Sequence, residues 1–283
     1  MFCQNLATRR KDMVWIIEKE AFSNGDILIP ALQKMNKEVV FWNDDFWNGG
    51  ESKSFSCPSV FHGSLENAAR LSREKNSGIV SLCDEERFSY SYIYKNYAKY
   101  LLNQSPVFTT IADVLDNPAI LGKLNGQKIF ARPNNPLKFF SGRTLKKSSI
   151  LPSSFDYGFY HSDLKLPIVL CEFKRIEAEW RFVCVDDYVI TGCEYMADGR
   201  KGVVSGNCRK QTDALAFAQA VADEKKQKDF AYVIDVCMCQ GDLRLVEMNP
   251  FSGSDFYLCD AEKIIQSVEN FITLTALRRG SFI

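Results

Sequence analysis

Short apolar runs alternate with amphipathic stretches in the first third of the chain. Met13–Glu18, Glu38–Trp42, Ser59–His62 and Ile79–Leu82 read as strands, with Gly25–Met35 and Leu65–Glu74 as helices between them. Strands alternating with helices predict parallel βαβ units and a small three-layer α/β lobe. Arg87–Leu102 is a helix-length run carrying Tyr90, Tyr92, Tyr94, Tyr97, Tyr100 and Leu101. Its aromatic face is expected to pack on that lobe; a base-stacking platform is the alternative. The texture then changes. Ile111–Leu115 and Ile120–Leu124 are short helical pieces, and Gln127–Arg132 is a strand stopped by Pro133. Pro167–Met196 reads as three successive strands, and residues 231–239 and 243–249 as two more. The expected class is α/β, becoming α+β in the C-terminal half, with divisions at 1–102, 103–165 and 166–283.

The last two strands carry the most informative pattern. Gln240-Gly241-Asp242 is a three-residue loop with glycine, so a hairpin is expected. Pairing Cys239 with Leu243 sets Asp235 opposite Glu247, and Asn249 follows Glu247 on the same face by period two. Opposed carboxylates about 5 Å apart destabilise a sheet unless a cation neutralises them. Carboxylate and amide oxygens suit Mg²⁺ or Mn²⁺, which complete an octahedron with water and phosphate oxygens. A two-residue loop is the alternative; it shifts the register and turns Glu247 to the other face.

Two further stretches bear charge at regular positions. Lys128, Phe130 and Arg132 share one face of their strand, and the loop from Asn134 to Thr144 carries Lys138, Ser141, Gly142 and Arg143. Backbone amides around Ser141-Gly142 and the planar fork of Arg132 or Arg143 are suited to phosphate oxygens; a solvated loop without a ligand is the alternative. Asp186-Asp187 reads as a two-residue turn, which puts Glu179 and Arg181 on one face and Glu179 opposite Glu194. Glu179 then has two candidate partners, Arg181 in a salt bridge or the hydroxyls of a ribose.

Composition narrows the classes. The chain has 283 residues, 46% hydrophobic and 25% charged, with Lys plus Arg equal to Asp plus Glu at 35 each. That is ordinary globular usage with no global basic footprint, so neither nucleic acid nor a membrane surface is an expected partner. No apolar run nears the roughly 20 residues that span a bilayer, and Gln4 and Asn5 stand where a secretory hydrophobic region would lie. A cytoplasmic protein is expected. Ten cysteines show no C-x-x-C pair, and the two histidines, His62 and His161, stand alone, so reduced buried thiols are expected rather than zinc or disulfides.

Taken in order, these pieces resemble the ATP-grasp superfamily, in which two α+β subdomains clamp ATP and Mg²⁺ behind a Rossmann-like N-terminal lobe. Phe130-Ala-Arg132-Pro133 followed by Phe140-Ser141-Gly142 fills the place of the phosphate strand and loop. Val169-Leu-Cys-Glu172-Phe173-Lys174 is similar to the adenine-binding connector, and Glu179, seven residues after Glu172, to the ribose-binding carboxylate. Asp235, Glu247 and Asn249 match the metal-binding Asp and Glu-x-Asn-Pro in type, order and spacing. The phosphate-strand residue, usually Lys, is Arg132, which points to a clade with that exchange. Relatives like D-alanine–D-alanine ligase place an oxyanion-holding Arg two residues before the metal Asp. Here that position is Val233, and Arg181, Arg200 and Arg209 are the candidate substitutes.

The resemblance implies an ATP-dependent carboxylate–amine ligase that activates a small-molecule or peptide carboxylate as an acyl-phosphate. Arg132, Arg181 and Arg209 are its expected catalytic cations. Expected nucleotide contacts are Arg132, Lys138, Ser141, Gly142, Glu172, Phe173, Lys174 and Glu179, and expected metal ligands Asp235, Glu247 and Asn249. Two alternatives share the fold: an ATP-binding regulatory or scaffold module without turnover, and a small-molecule kinase. Asp255 is read as either an amine ligand or the cap of a helix starting near Ala261. The Tyr90–Tyr100 run covers either a core or the twofold interface of a homodimer.

Overall fold

The computed structural model describes residues 13–22, 26–47, 58–74, 78–155, 163–197, 200–202, 208–225 and 230–279. Gln4, Asn5, Gly25, His161 and Gly199 lie outside them.

The N-terminal lobe forms around β1, whose four residues are apolar and buried on both faces. Strands β1 (Val14–Ile17), β2 (Glu38–Phe41), β3 (Ser59–His62) and β4 (Ile79–Val80) make a parallel sheet in the order β2-β1-β3-β4. Trp15 and Ile17 face helix α1 (Leu28–Lys34), while Val14 and Ile16 face α2 (Leu65–Arg73). The three-layer expectation therefore holds. Ser64 caps α2 by accepting from the Asn67 amide.

A second sheet follows, with β5 (Val107–Thr110), β6 (Lys128–Pro133), β7 (Arg143–Lys146) and β8 (Pro167–Glu172) in the order β5-β8-β6-β7. Ile129, Ala131, Ile168 and Leu170 bury one face against α4 (Ile111–Asp116). Pro167–Met196 thus divides between two sheets: β8 pairs with β5 and β6, and the ladder breaks after Glu172. Strand β8 thus closes the second sheet, and the strands after it belong to the third.

The third sheet holds β9 (Ala178–Val185), β10 (Tyr188–Ala197), β11 (Arg200–Lys201), β12 (Ala231–Cys239) and β13 (Asp242–Pro250) in the order β11-β10-β9-β12-β13. Its two faces differ. Trp180, Phe182, Tyr232, Ile234 and Met248 pack on α3 (Tyr90–Tyr97) and α5 (Cys208–Glu224). On the other face Val183, Val185 and Val233 meet α6 (Ala261–Arg279), which also packs on α1. Further along the strands that face turns polar, with Glu179, Arg181 and Asp235. The aromatic side of α3 is thus taken up by the second and third sheets, not by the N-terminal lobe. Among the described residues no helix is long and apolar enough to cross a membrane.

Candidate functional site

Asp235 and Glu247 do stand opposite each other, by a route the sequence reading did not foresee. The turn is the two-residue alternative, Gln240-Gly241, both with positive φ (55° and 82°), as a tight hairpin turn requires. Cys239 consequently pairs with Asp242 rather than Leu243. A β-bulge between the Val236↔Leu245 and Asp235↔Glu247 pairs inserts Val246 and restores the face of Glu247. Two register shifts in the β9–β10 hairpin work the other way: Glu179 lies opposite Met196, and Glu194 opposite Trp180, so the expected Glu179–Glu194 pair does not form.

The carboxylates already meet protein cations. Arg181 grips Asp235 in a fork, Nε donating to Oδ1 at 2.8 Å and Nη2 to Oδ2 at 2.7 Å, while Nη1 donates to the Asp255 carbonyl at 2.6 Å. Arg132 Nη2 lies 2.8 Å from Glu247 Oε2, and Lys138 Nζ 3.0 Å from Oε1. Asn249 Nδ2 reaches Asp235 Oδ2 at 3.2 Å and Glu247 Oε1 at 2.9 Å, so the three expected metal ligands converge. Burial pushes the Asp235 carboxyl up, with Arg181 pulling the other way. Burial opposes ionisation of Glu247 too, but Lys138 and Arg132 outweigh it and hold its carboxyl well below the usual range. Glu179, hydrogen-bonded to Tyr195, is pushed up to about 7 by burial and by the neighbouring Asp235.

This cluster borders a cavity of about 530 Å³ between the second and third sheets. Arg132, Lys138, Ser141, Gly142, Glu172, Phe173, Lys174, Glu179, Arg181 and Glu247 all line it, whereas Asp235 and Asn249 sit buried behind. Gly142 is required for space: a Cβ there would meet the Phe130 ring at 2.5 Å. Lys174 Nζ donates to the Leu102 carbonyl at 2.6 Å and anchors the segment joining β8 to β9. The Glu172 side chain turns aside, accepting from the Asn125 amide and side chain at 3.1 and 2.6 Å.

Arg209 does not join the site: it is exposed in the first turn of α5, a helix packed on the opposite face of the third sheet. Arg200 is also exposed, on β11 at the sheet edge. Arg143 points to the Ser141 and Ser154 carbonyls instead of the cavity. Asp255 caps no helix; its side chain accepts from the Tyr257 amide, and Asp260 accepts from Lys263 at the start of α6. Tyr90, Tyr195, Tyr257 and Lys201 also line the cavity; Lys201 and Tyr257 lie in the 199–209 and 252–257 stretches where the resemblance puts substrate loops, and Tyr195 has no signal in the sequence. Tyr90 lies under Arg132, 5.0 Å from guanidinium carbon to ring centre, and Tyr257 under Arg181 at 4.8 Å.

A family model described as the ATP-grasp domain, R-2-K clade family 2, matches residues 108–267, the span that carries the connector and the hairpin carboxylates. The chain belongs to this ATP-grasp family. Solved structures similar to this ATP-grasp protein include D-alanyl-alanine synthetase A from Vibrio cholerae O1 biovar eltor, 15% identical, covering 93% of this chain and 99% of that one with a TM-score of 0.59. D-cycloserine synthetase DcsG is 13% identical over 91% and 99% at a TM-score of 0.58. D-alanine–D-alanine ligase from Bacillus anthracis, complexed with ATP, is 14% identical over 93% and 98% at 0.56. At such identities the likeness concerns the fold. No curated protein matches the sequence.

The residues present fit a divalent ion bound together with a polyphosphate. The donor set is all oxygen, which suits Mg²⁺ or Mn²⁺. Among the described residues no group of three His, Cys, Asp or Glu side chains is placed to hold a metal ion by itself; two carboxylates and an amide therefore need phosphate and water oxygens to complete a shell. Arg132, Lys138 and Arg181 against Asp235 and Glu247 leave one surplus positive charge when the neighbouring Glu179 is protonated, favourable to a polyanion.

Proposed function

We propose that this ATP-grasp protein is an ATP-dependent carboxylate–amine ligase that forms an amide or peptide bond through an acyl-phosphate. The observation that supports this most is the convergence of Asp235, Glu247 and Asn249 with Arg132, Lys138 and Arg181 at the border of the cavity. A substrate carboxylate attacks the γ-phosphorus of ATP, ADP leaves, and an amine then displaces phosphate from the acyl-phosphate. Mg²⁺ or Mn²⁺ held by Asp235, Glu247 and Asn249 would supply neutralisation of the β- and γ-phosphates.

The chain's own residues do the rest by positioning and charge. Arg132 and Lys138 reach the transferring phosphoryl group from the wall opposite the β12–β13 hairpin. Arg181 has five N–H donors and spends three on Asp235 and Asp255, so each Nη keeps one for an oxyanion in the cavity. Phe173, Lys174 and Glu179 line the stretch where the resemblance places adenine and ribose. The test is ADP release from Mg-ATP with a panel of carboxylates and amines. Release above that of Asp235→Asn is expected; no release across the panel overturns the reading.

One observation favours a second reading, an ATP-binding module without turnover. All four oxygens of Asp235 and Glu247 are held by protein cations. This reading predicts saturable ATP binding with no ADP. Labelled phosphate retained in a stable product would instead identify a kinase.

A further inference from the structure

Beside Arg181, on the same face of the third sheet but outside the cavity lining, two thiols touch. Cys193 lies on β10 directly across the ladder from Arg181, and Cys259 stands in the loop that leads into α6. Their sulfurs are 3.4 Å apart although 66 residues separate them in sequence. The Cys259 thiol also lies 3.8 Å from the Arg181 carbonyl, and Cys193 Sγ 3.8 Å from the Phe256 carbonyl. Both are buried, and Leu258 beside Cys259 is 74% exposed, so the pair lies one residue from the surface.

We propose that Cys193 and Cys259 form a reversible disulfide when the protein meets a peroxide. A disulfide needs its sulfurs at about 2.05 Å, so roughly 1.4 Å of approach completes the bond. The pair is chemically asymmetric. The S–H that Cys259 donates lowers the Cys193 thiol, against burial, and the same bond together with burial raises Cys259. Cys193 is therefore the attacking sulfur. Its thiolate takes one peroxide oxygen, becoming a sulfenic acid, and the other oxygen leaves as water. The Cys259 sulfur then attacks the sulfenic sulfur and the hydroxyl departs with the Cys259 proton as a second water. Two thiols and one peroxide become one disulfide and two waters.

The bond fastens the loop from Phe251 to Cys259 onto β10. That loop holds Arg181 through the Asp255 carbonyl and carries Tyr257, which stacks on Tyr195 at 4.5 Å. The inference needs no nucleotide and stands apart from the ligase reading.

The test treats the full chain with hydrogen peroxide, blocks remaining thiols under denaturing conditions, and maps the peptides by mass spectrometry. The expected result is a Cys193–Cys259 peptide pair lighter by two hydrogens and separated by dithiothreitol. In Cys259→Ser the link is expected to vanish and a dimedone adduct to appear on Cys193. The wild-type map decides alone should that variant fail to fold. Recovery of both cysteines as alkylated thiols, or either linked to another cysteine, overturns the proposal.

Discussion

Replacing Arg181 by Met removes the guanidinium and, among the described residues, leaves the Asp235 carboxylate with the Asn249 amide at 3.2 Å as its hydrogen-bond donor. Both partners are buried, with side-chain exposures of 6% and 1%. Breaking such a pair from one side costs about 3–5 kcal/mol, because the remaining charge stays in a low-dielectric site. The 283-residue chain, at about 2.1 cal/mol/K per residue of unfolding entropy, gives about 0.6 kcal/mol/K, so the melting midpoint should fall by about 5–8 °C. Replacing both partners, Arg181→Met with Asp235→Leu, removes the orphaned charge and should recover most of that loss, giving a coupling of about 2 kcal/mol or more. Guanidinium unfolding of wild type, both single variants and the double variant measures it. A single-variant loss below about 1 kcal/mol, or additive singles, would refute the reasoning.

Other expectations follow from individual contacts. Glu179 is raised from 4.5 to about 7, so between those values the folded state keeps a proton the unfolded chain has released, and stability falls as pH rises through that window, by about 3 kcal/mol in all. Urea unfolding of Glu179→Gln at both ends of the window should lack that slope; an unchanged slope contradicts it. Lys138 is 38% exposed at its side chain, so Lys138→Met should change stability by less than about 1 kcal/mol while weakening Mg-ATP binding roughly 10- to 100-fold in calorimetry. Wild-type affinity would remove Lys138 from the site. Gly142→Ala forces the Phe130 ring off its present place and should cost about 1–3 kcal/mol in melting; a neutral substitution would mean that the ring yields freely.

The sequence was most legible where periodicity carried the signal. The parallel N-terminal strands, the β12–β13 hairpin and the run from Arg132 to Gly142 emerged with nearly correct bounds. Bulges were not legible, because the inserted Val246 follows the apolar Leu245 and, without knowledge of the pairing, nothing in the sequence marks it as the extra residue. The Asp235–Glu247 pairing was thus reached with the wrong loop, while Glu179–Glu194 failed with the right turn. The Arg181–Asp235 fork was hidden for another reason: β12 lies beside β9, skipping β10, and that order is set by tertiary packing. Strand β7 and helix α5 were missed because Arg143–Lys146 is short and charged and the long helix begins in a polar stretch.

The central claim is a magnesium-dependent nucleotide site on the β12–β13 hairpin. Thermal melting with Mg-ATP, Mg-ADP and EDTA, comparing wild type with Glu247→Gln, tests it most directly. A ligand at a hundredfold excess over its dissociation constant adds about 2.7 kcal/mol to the folded state, which at about 0.6 kcal/mol/K is a rise of roughly 4–5 °C. The account predicts that rise in wild type with Mg-ATP, its loss in EDTA, and its loss in Glu247→Gln. No rise in wild type at millimolar Mg-ATP, or the same rise in Glu247→Gln, would contradict it.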